Sequence, residues 1–264
     1  MEKILVATDF SQQAAAAVNS AVFLTDLLDA QLDILHAYQM ISPPGMYSKV
    51  SGQLSGEKRE AMAKLIRKLE KPDLRIAPLL SNHTPDEAIL ERADDYDLIV
   101  MGSKGEWDLE NFFLGSTTQR VVRRLRTPLL AIPPEAPVKK LQQIVMAVDQ
   151  RQITRDDLLS PLRKLIRAAD AQLKLYQLQE HDDEEFEFSE ALRRQLKGID
   201  YSTHVEFKNT ALKEALQHFV EEETGDVYVL IHHHRSNWLQ FLQPDTIRRE
   251  LQNLQLPLLL LSDR

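Results

Sequence analysis

The chain has 264 residues, 43% of them hydrophobic, with 32 Lys and Arg against 40 Asp and Glu and no cysteine. That length suits two domains with sizeable cores, and a formal net charge of -8 argues against generic nucleic-acid binding, which rests on basic surface neutralising phosphates. The missing cysteines exclude disulfides and thiolate metal sites, as expected of a cytoplasmic protein, and no apolar run approaches the roughly 18 residues of a membrane span.

Lys3-Ile4-Leu5-Val6-Ala7-Thr8 is a short apolar run entered at once from Met1, which predicts a buried strand and no removed leader. Asp9-Phe10-Ser11 then makes a turn, and an alanine-rich pattern from Gln12 to Asp29 predicts a helix capped by Ser11. Asp9 falls at the carboxyl end of the first strand, where open α/β sheets bind ligands; a turn or capping aspartate is the other reading of it. Leu32 to Tyr38 is a second strand, and Ile41 to Gly56, with its prolines, glycines and serines, is expected to be a loop. A helix from Glu57 to Glu70, a strand from Leu74 to Leu80 and a helix from Pro85 to Asp94, opened by Thr84, follow.

The fourth strand, Asp97 to Met101, leads into Gly102-Ser103-Lys104-Gly105, nine residues, Gly115-Ser116, and a helix closing at Thr127-Pro128. A phosphate at a helix N-terminus meets unpaired N–H groups and the positive end of the dipole, and glycine lets the backbone approach it closely. Ser116 would cap that helix, and Lys104 could add charge near a phosphate. Taken alone, these short glycine patterns suit a plain strand-to-helix loop as well, and they match neither of the longer phosphate-loop signatures. Arg120, Arg123, Arg124 and Arg126 complement the end of the same helix dipole. A fifth strand, Leu129 to Ile132, completes a β/α alternation, which predicts a parallel sheet with helices on both faces.

After the stiff Pro133-Pro134-Glu135-Ala136-Pro137 linker the pattern restarts. Ile144 to Asp149 repeats Ile4 to Asp9 at an offset of 140, whereas Asp226 repeats Asp97 and Pro257 repeats Pro128 at an offset of 129. Strands are expected at Leu173 to Leu178, Tyr201 to Phe207, Asp226 to Ile231 and Leu258 to Leu261, with a helix from Ala211 to Glu222. Two copies of one domain, 1–137 and 138–264, are inferred, each an open, mainly parallel five-stranded sheet. The acidic run Glu180 to Glu185 is expected to be solvated surface, and Trp107 and Trp238 to be lids or packing anchors.

On these residues the chain resembles the universal stress protein family in its tandem form. The nucleotide-binding pattern of that family is Gly-x-x-Gly, nine residues, Gly-Ser/Thr, matched here by Gly102, Gly105, Gly115 and Ser116. The Thr8-Asp9-Phe10-Ser11 turn and Leu35-His36-Ala37 add to the likeness. The resemblance implies a Rossmann-like, adenine nucleotide alpha hydrolase-like fold. It further implies that the first copy binds ATP, with Mg or Mn on the phosphates. Adenosine would lie against Ala7, Asp9, Ala37 and Met101, and the phosphates on Gly102, Gly105, Gly115, Ser116 and Thr117. A regulatory stress-response protein is the expected function, with a slow ATPase or a ligand-free interaction module as alternatives. No catalytic set or metal site is assigned, because phosphoryl transfer needs metal ligands and a group orienting the nucleophile.

In the second copy Ile231, His234, Pro244 and Asp245 face Gly102, Gly105, Gly115 and Ser116. All three glycines are replaced, and Asp245 would repel a phosphate. His232-His233-His234 is read as surface or loop histidine, since consecutive strand residues alternate sides and rarely converge on one ion. In single-domain relatives the last strand pairs with its copy in a second subunit. Here the tether favours pairing of Leu129 to Ile132 with Leu258 to Leu261 inside the chain, with further homodimerisation left open. Neither a nucleic-acid nor a membrane partner is expected.

Overall fold

A computed structural model describes residues 1–39, 47–69, 71, 73–103, 116–148, 153–179, 188–207, 225–233 and 256–263. The elements of the first half are β1 (Lys3–Ala7), α1 (Gln12–Leu28), β2 (Gln31–Ala37), α2 (Tyr47–Leu69), β3 (Arg75–Ser81), α3 (Pro85–Leu90), β4 (Leu98–Gly102), α4 (Ser116–Val122) and β5 (Leu129–Ile132). Those of the second are β6 (Gln143–Val148), α5 (Ser160–Ala169), β7 (Gln172–Gln179), α6 (Glu190–Gln195), β8 (Tyr201–Phe207), β9 (Val227–His233) and β10 (Leu258–Asp263).

The strands form one ten-stranded sheet in the order β3-β2-β1-β4-β5-β10-β9-β6-β7-β8. Every pairing is parallel except the central one, β5 with β10, which is antiparallel. The expected pairing of the two terminal strands is therefore present, and it merges the two five-stranded sheets.

Side chains alternate between two cores, as period-2 strands buried on both faces require. Ile4, Val6, Leu130, Ile132, Leu259 and Leu261 face one core, which is covered by α1, α2, α5 and α6. Leu5, Leu129, Ala131, Leu258 and Leu260 face the other, where α3 and α4 pack. Both cores run without a break across the β5/β10 seam. The chain just after the linker is fixed to α1, where the buried Ser20 hydroxyl accepts the Val138 amide at 2.9 Å.

Strand starts are anchored alike in the two halves. Asp97, just before β4, accepts the Glu2 and Lys3 amides at 2.7 and 3.1 Å. Asp226, just before β9, accepts those of Gln142 and Gln143 at 2.7 and 3.0 Å. Asp29 and Asp170 both close their helices in the left-handed region, at φ 47 and 50. Short polar side chains tolerate that conformation better than most.

Ser11 caps α1 as expected, accepting the Ala14 amide at 3.1 Å. At α3 the Glu87 carboxylate reaches back to the Thr84 amide at 3.2 Å and accepts its hydroxyl at 2.7 Å.

Five expectations need correction. The helix expected from Pro85 to Asp94 ends at Leu90, where the Arg92 amide turns onto the Ile89 carbonyl, and a short 3-10 turn follows at Ala93–Asp95. Ile41 to Gly56 is not a loop throughout, because α2 begins at Tyr47. Gly52 and Gly56 cost a helix only about 1 kcal/mol each, and Met62 with Leu65, Ile66 and Leu69 docks α2 on the core. Tertiary packing, rather than propensity, carries such a helix. The helix after the glycine loop stops at Val122 instead of reaching Thr127. The Arg124 and Leu125 amides both turn onto the Val121 carbonyl, and a residue before proline, here Thr127, disfavours helix. Ser116 is helical, within α4, rather than its cap. The strand expected to end at Ile231 continues through His232 and His233, because β10 runs beside them and pairs Ser262 with His232 and Asp263 with His233.

His234, Asp149, Pro244, Asp245, the run 180–185, Trp107, Trp238 and the helix expected at 211–222 lie outside the described residues. Among the described residues, no helix is long and apolar enough to cross a membrane.

Candidate functional site

Within the first half the order β3-β2-β1-β4-β5 reverses direction between β1 and β4. From β1 the chain moves outward through α1 to β2, and from β4 it moves the other way to β5. Loops that leave adjacent parallel strands in opposite directions open a crevice at their carboxyl ends. The expected ligand residues of β1 and β4 stand there. Ala7 and Gly102 are the last residues of their strands, Met101 is buried at 4% exposure, and Asp9 lies just beyond β1, exposed. Ala37 ends β2, the next strand out.

Hydrogen bonds shape the floor of the crevice. Thr8 donates its amide to the Leu35 carbonyl at 2.9 Å, and Ser103 donates to Ile132 at 2.8 Å, so β1 and β4 stay locked to their neighbours up to the mouth. Asp9 Oδ1 accepts the Ser11 amide at 2.9 Å. One carboxylate oxygen is thus committed to the turn, which supports the turn reading of Asp9 without consuming the whole group.

The start of α4 is brought to the same end of the sheet by one side chain. Thr118, 2% exposed, donates its hydroxyl to the Gly102 carbonyl at 3.0 Å. Ser116 and Thr117 therefore begin α4 beside the end of β4, Ser116 exposed and Thr117 half-buried. Arg120 stands one turn on, its guanidinium 3.4 Å from the Thr117 hydroxyl and paired with Asp86 at 3.3 Å. Burial pushes the Asp86 carboxyl up, but the Arg120 hydrogen bond and charge, with hydrogen bonds from its own backbone amide and from Thr84, together hold it below the ordinary carboxylate value. Gly105, Gly115 and Lys104 lie outside the described residues.

Three residues around the site escaped the sequence reading as contributors. Thr118 and Arg120 act through partners 16 and 34 residues away, so no local pattern marks them. His36 was legible only as part of a strand end. Its Nδ1 lies 2.8 Å from the Thr8 carbonyl oxygen, and its ring stacks on Phe10.

The corresponding place in the second half is built differently. Ile231, half-buried, stands where Gly102 stands in the first half. Residues 153–159 precede α5 without being helical, and the first of them lie against the end of β10. There the buried Asp263 carboxylate accepts the Thr154 amide at 3.0 Å, the Thr154 hydroxyl at 2.8 Å and the Arg155 amide at 2.8 Å. Arg155 in turn donates to the Ser262 carbonyl at 2.9 Å and to the Arg126 carbonyl of the first half at 3.2 Å.

Fold and site together define an open, Rossmann-like α/β protein with a crevice at the switch point of its first half. Residues 1–133 match the sequence profile of the universal stress protein family, and the chain belongs to that family. It is similar to a universal stress protein of Thermus aquaticus, 32% identical over 136 residues that span 49% of this chain and 96% of that protein. Another, from Methanocaldococcus jannaschii, is 29% identical over 139 residues, 50% of this chain and 81% of that relative. The chain is thus close to twice the length of the Thermus aquaticus relative. The crystal structure of a universal stress protein from Archaeoglobus fulgidus shares the fold along both halves, with a TM-score of 0.72 at 15% identity, covering 98% of this chain and 96% of that one.

Proposed function

We propose that this chain is a tandem universal stress protein that binds ATP, with Mg or Mn on the phosphates, in the crevice of residues 1–137. On this reading it is a cytoplasmic regulatory protein of the stress response rather than an enzyme. One observation carries the reading: the ends of β1 and β4, the Asp9 turn and the start of α4 converge at one switch point, on the segments that bear the family's nucleotide pattern. Adenosine contacts fall to Ala7, Asp9, Ala37 and Met101. The phosphate contacts fall to Gly102, Gly105, Gly115, Ser116 and Thr117.

Residues 138–264 act as a degenerate partner half. Ile231, His234, Pro244 and Asp245 replace the glycines and the serine, and the Asp263 hydrogen bonds commit the segment after β6 to the end of β10. Its role is structural: it covers the edge that β5 would otherwise expose, forming a pseudo-dimer within one chain.

The test is calorimetric titration of Mg·ATP into the full chain and into Gly115→Val, where a branched side chain would occupy the space of a phosphate. Heat of binding in the wild type, lost in the variant at an unchanged unfolding midpoint, is the expected result. Equal affinity in the two proteins, or no binding to the wild type, would overturn the assignment.

A further inference from the structure

At the end of β2, His36 is 4% exposed. A carbonyl oxygen only accepts, so the 2.8 Å contact with Thr8 places the proton on Nδ1 and leaves Nε2 an acceptor. Nε2 has no hydrogen-bond partner among the described residues. One face of the ring stacks on Phe10, with centroids 4.2 Å apart and planes at 30°; Tyr38 lies at 6.1 Å and 18°. Phe10 is a non-glycine residue in the left-handed region, at φ 64, a conformation that its Cβ disfavours and that surrounding contacts must hold. Two hydrogen bonds from the turn itself, the Phe10 amide to Thr8 Oγ1 at 3.1 Å and the Ser11 amide to Asp9 Oδ1 at 2.9 Å, complete the arrangement.

We propose that His36 is the positioning residue of the crevice: it grips Thr8 through its Nδ1–H and Phe10 through its ring, and so holds Asp9, which stands between them, for a bound ligand. The identity of that ligand rests on the nucleotide reading; the grip does not.

The second half supplies a natural contrast. Gln177, opposite Val148 in the β6/β7 register, occupies the position of His36 and has no ring to stack. There the helix begins only at Ser160, and Thr154 before it is held by Asp263.

The charged groups that bear on the ring are Asp9 from the β1–α1 turn and Lys58 from α2, while β3 presents the apolar Leu80 in register. Burial pushes the imidazole below its ordinary value, the Thr8 carbonyl and Asp9 favour the cation, and Lys58 opposes it. A base depressed in the folded state loses stability as pH falls below the unfolded value near 6.5. Acidification therefore destabilises the folded arrangement around the buried ring, although the Nδ1–H donor to Thr8 is present in both charge states.

The experiment uses the full chain and two variants. His36→Asn retains an N–H donor for Thr8, and His36→Phe retains the ring. Amide exchange of Phe10 and Ser11 is measured by NMR from pH 7.5 to 5, beside Mg·ATP titration and thermal unfolding. His36→Phe should exchange the Ser11 amide at least tenfold faster and bind Mg·ATP at least tenfold more weakly. His36→Asn should recover part of both losses and lack the wild-type fall in protection, relative to the intrinsic exchange rate, below pH 6.5, all at similar unfolding midpoints. Wild-type exchange in both variants would overturn the positioning role whether or not ATP binds. A wild type that takes no ATP, with exchange responding as described, would sink the nucleotide reading and leave the grip standing.

Discussion

Leu130 on β5 stands directly opposite Leu259 on β10, flanked by Leu129 opposite Leu260 and Ala131 opposite Leu258. At the offset of 129 that relates the two halves here, Leu130 and Leu259 are the same position. A local twofold axis therefore passes between them, and each terminal strand meets the other as in an isologous dimer interface. The covalent tether makes that pairing intramolecular.

The central pair should be energetically equivalent from either side. Leu130 and Leu259 are 1% and 0% exposed, so Leu130→Ala and Leu259→Ala should each cost about 2–5 kcal/mol. Because they touch across the seam, the double variant should depart from additivity by about 0.5 kcal/mol or more. Urea unfolding of the three variants checks this; strict additivity would place the two residues in separate packing environments.

Asp97 and Asp226 offer a second matched comparison. Removing either carboxylate strands two strand-start amides, at about 1–3 kcal/mol. Asp226→Ala should lie at the upper end, since its side chain is 15% exposed against 35% for Asp97. Burial pushes the Asp97 carboxyl up, yet the Glu2 and Lys3 amides and Lys164 hold it below 3.8. Its contribution is therefore complete above that value and is lost as pH falls through the folded-state value. Unfolding midpoints of Asp97→Ala and wild type should converge in that acid range.

Thr118 tests how the site is assembled. Thr118→Val keeps the shape and removes the hydroxyl that reaches Gly102. Stability should fall by about 1 kcal/mol, and Mg·ATP affinity should fall with it, because the α4 start loses its anchor to β4. Calorimetry showing full affinity in this variant would separate the anchor from the site.

Stoichiometry follows from the divergence of the halves. One nucleotide per chain is expected, with Asp263→Ala freeing the 153–159 segment without creating a second site, because Ile231 still stands in the place of Gly102. Native mass spectrometry of the Mg·ATP complex reads this directly, and two equal sites in the wild type would contradict it.

Much of the fold was legible because it is local. The apolar runs at Ile4 to Val6 and Ile144 to Met146, the Ser11 cap and the Thr84-Glu87 box depend on residues within four positions of one another, and short-range sterics and capping decide them. Asp9, Met101 and Gly102 could be placed at strand ends for the same reason.

What only the tertiary structure decided are pairings distant in sequence. The start of α2 at Tyr47 depends on a core that Met62 and Leu65 reach, and the extension of β9 through His233 on the presence of β10 beside it. Thr118 finds Gly102, His36 finds Thr8, and Asp263 finds Thr154 across 109 residues, by chain folding alone. The unbroken apolar runs Leu129 to Ile132 and Leu258 to Leu261 determined that both strands would be buried on two faces. Their antiparallel register, with Leu130 against Leu259, came from the folded halves meeting edge to edge, because only there do the backbone donors and acceptors of both strands find partners.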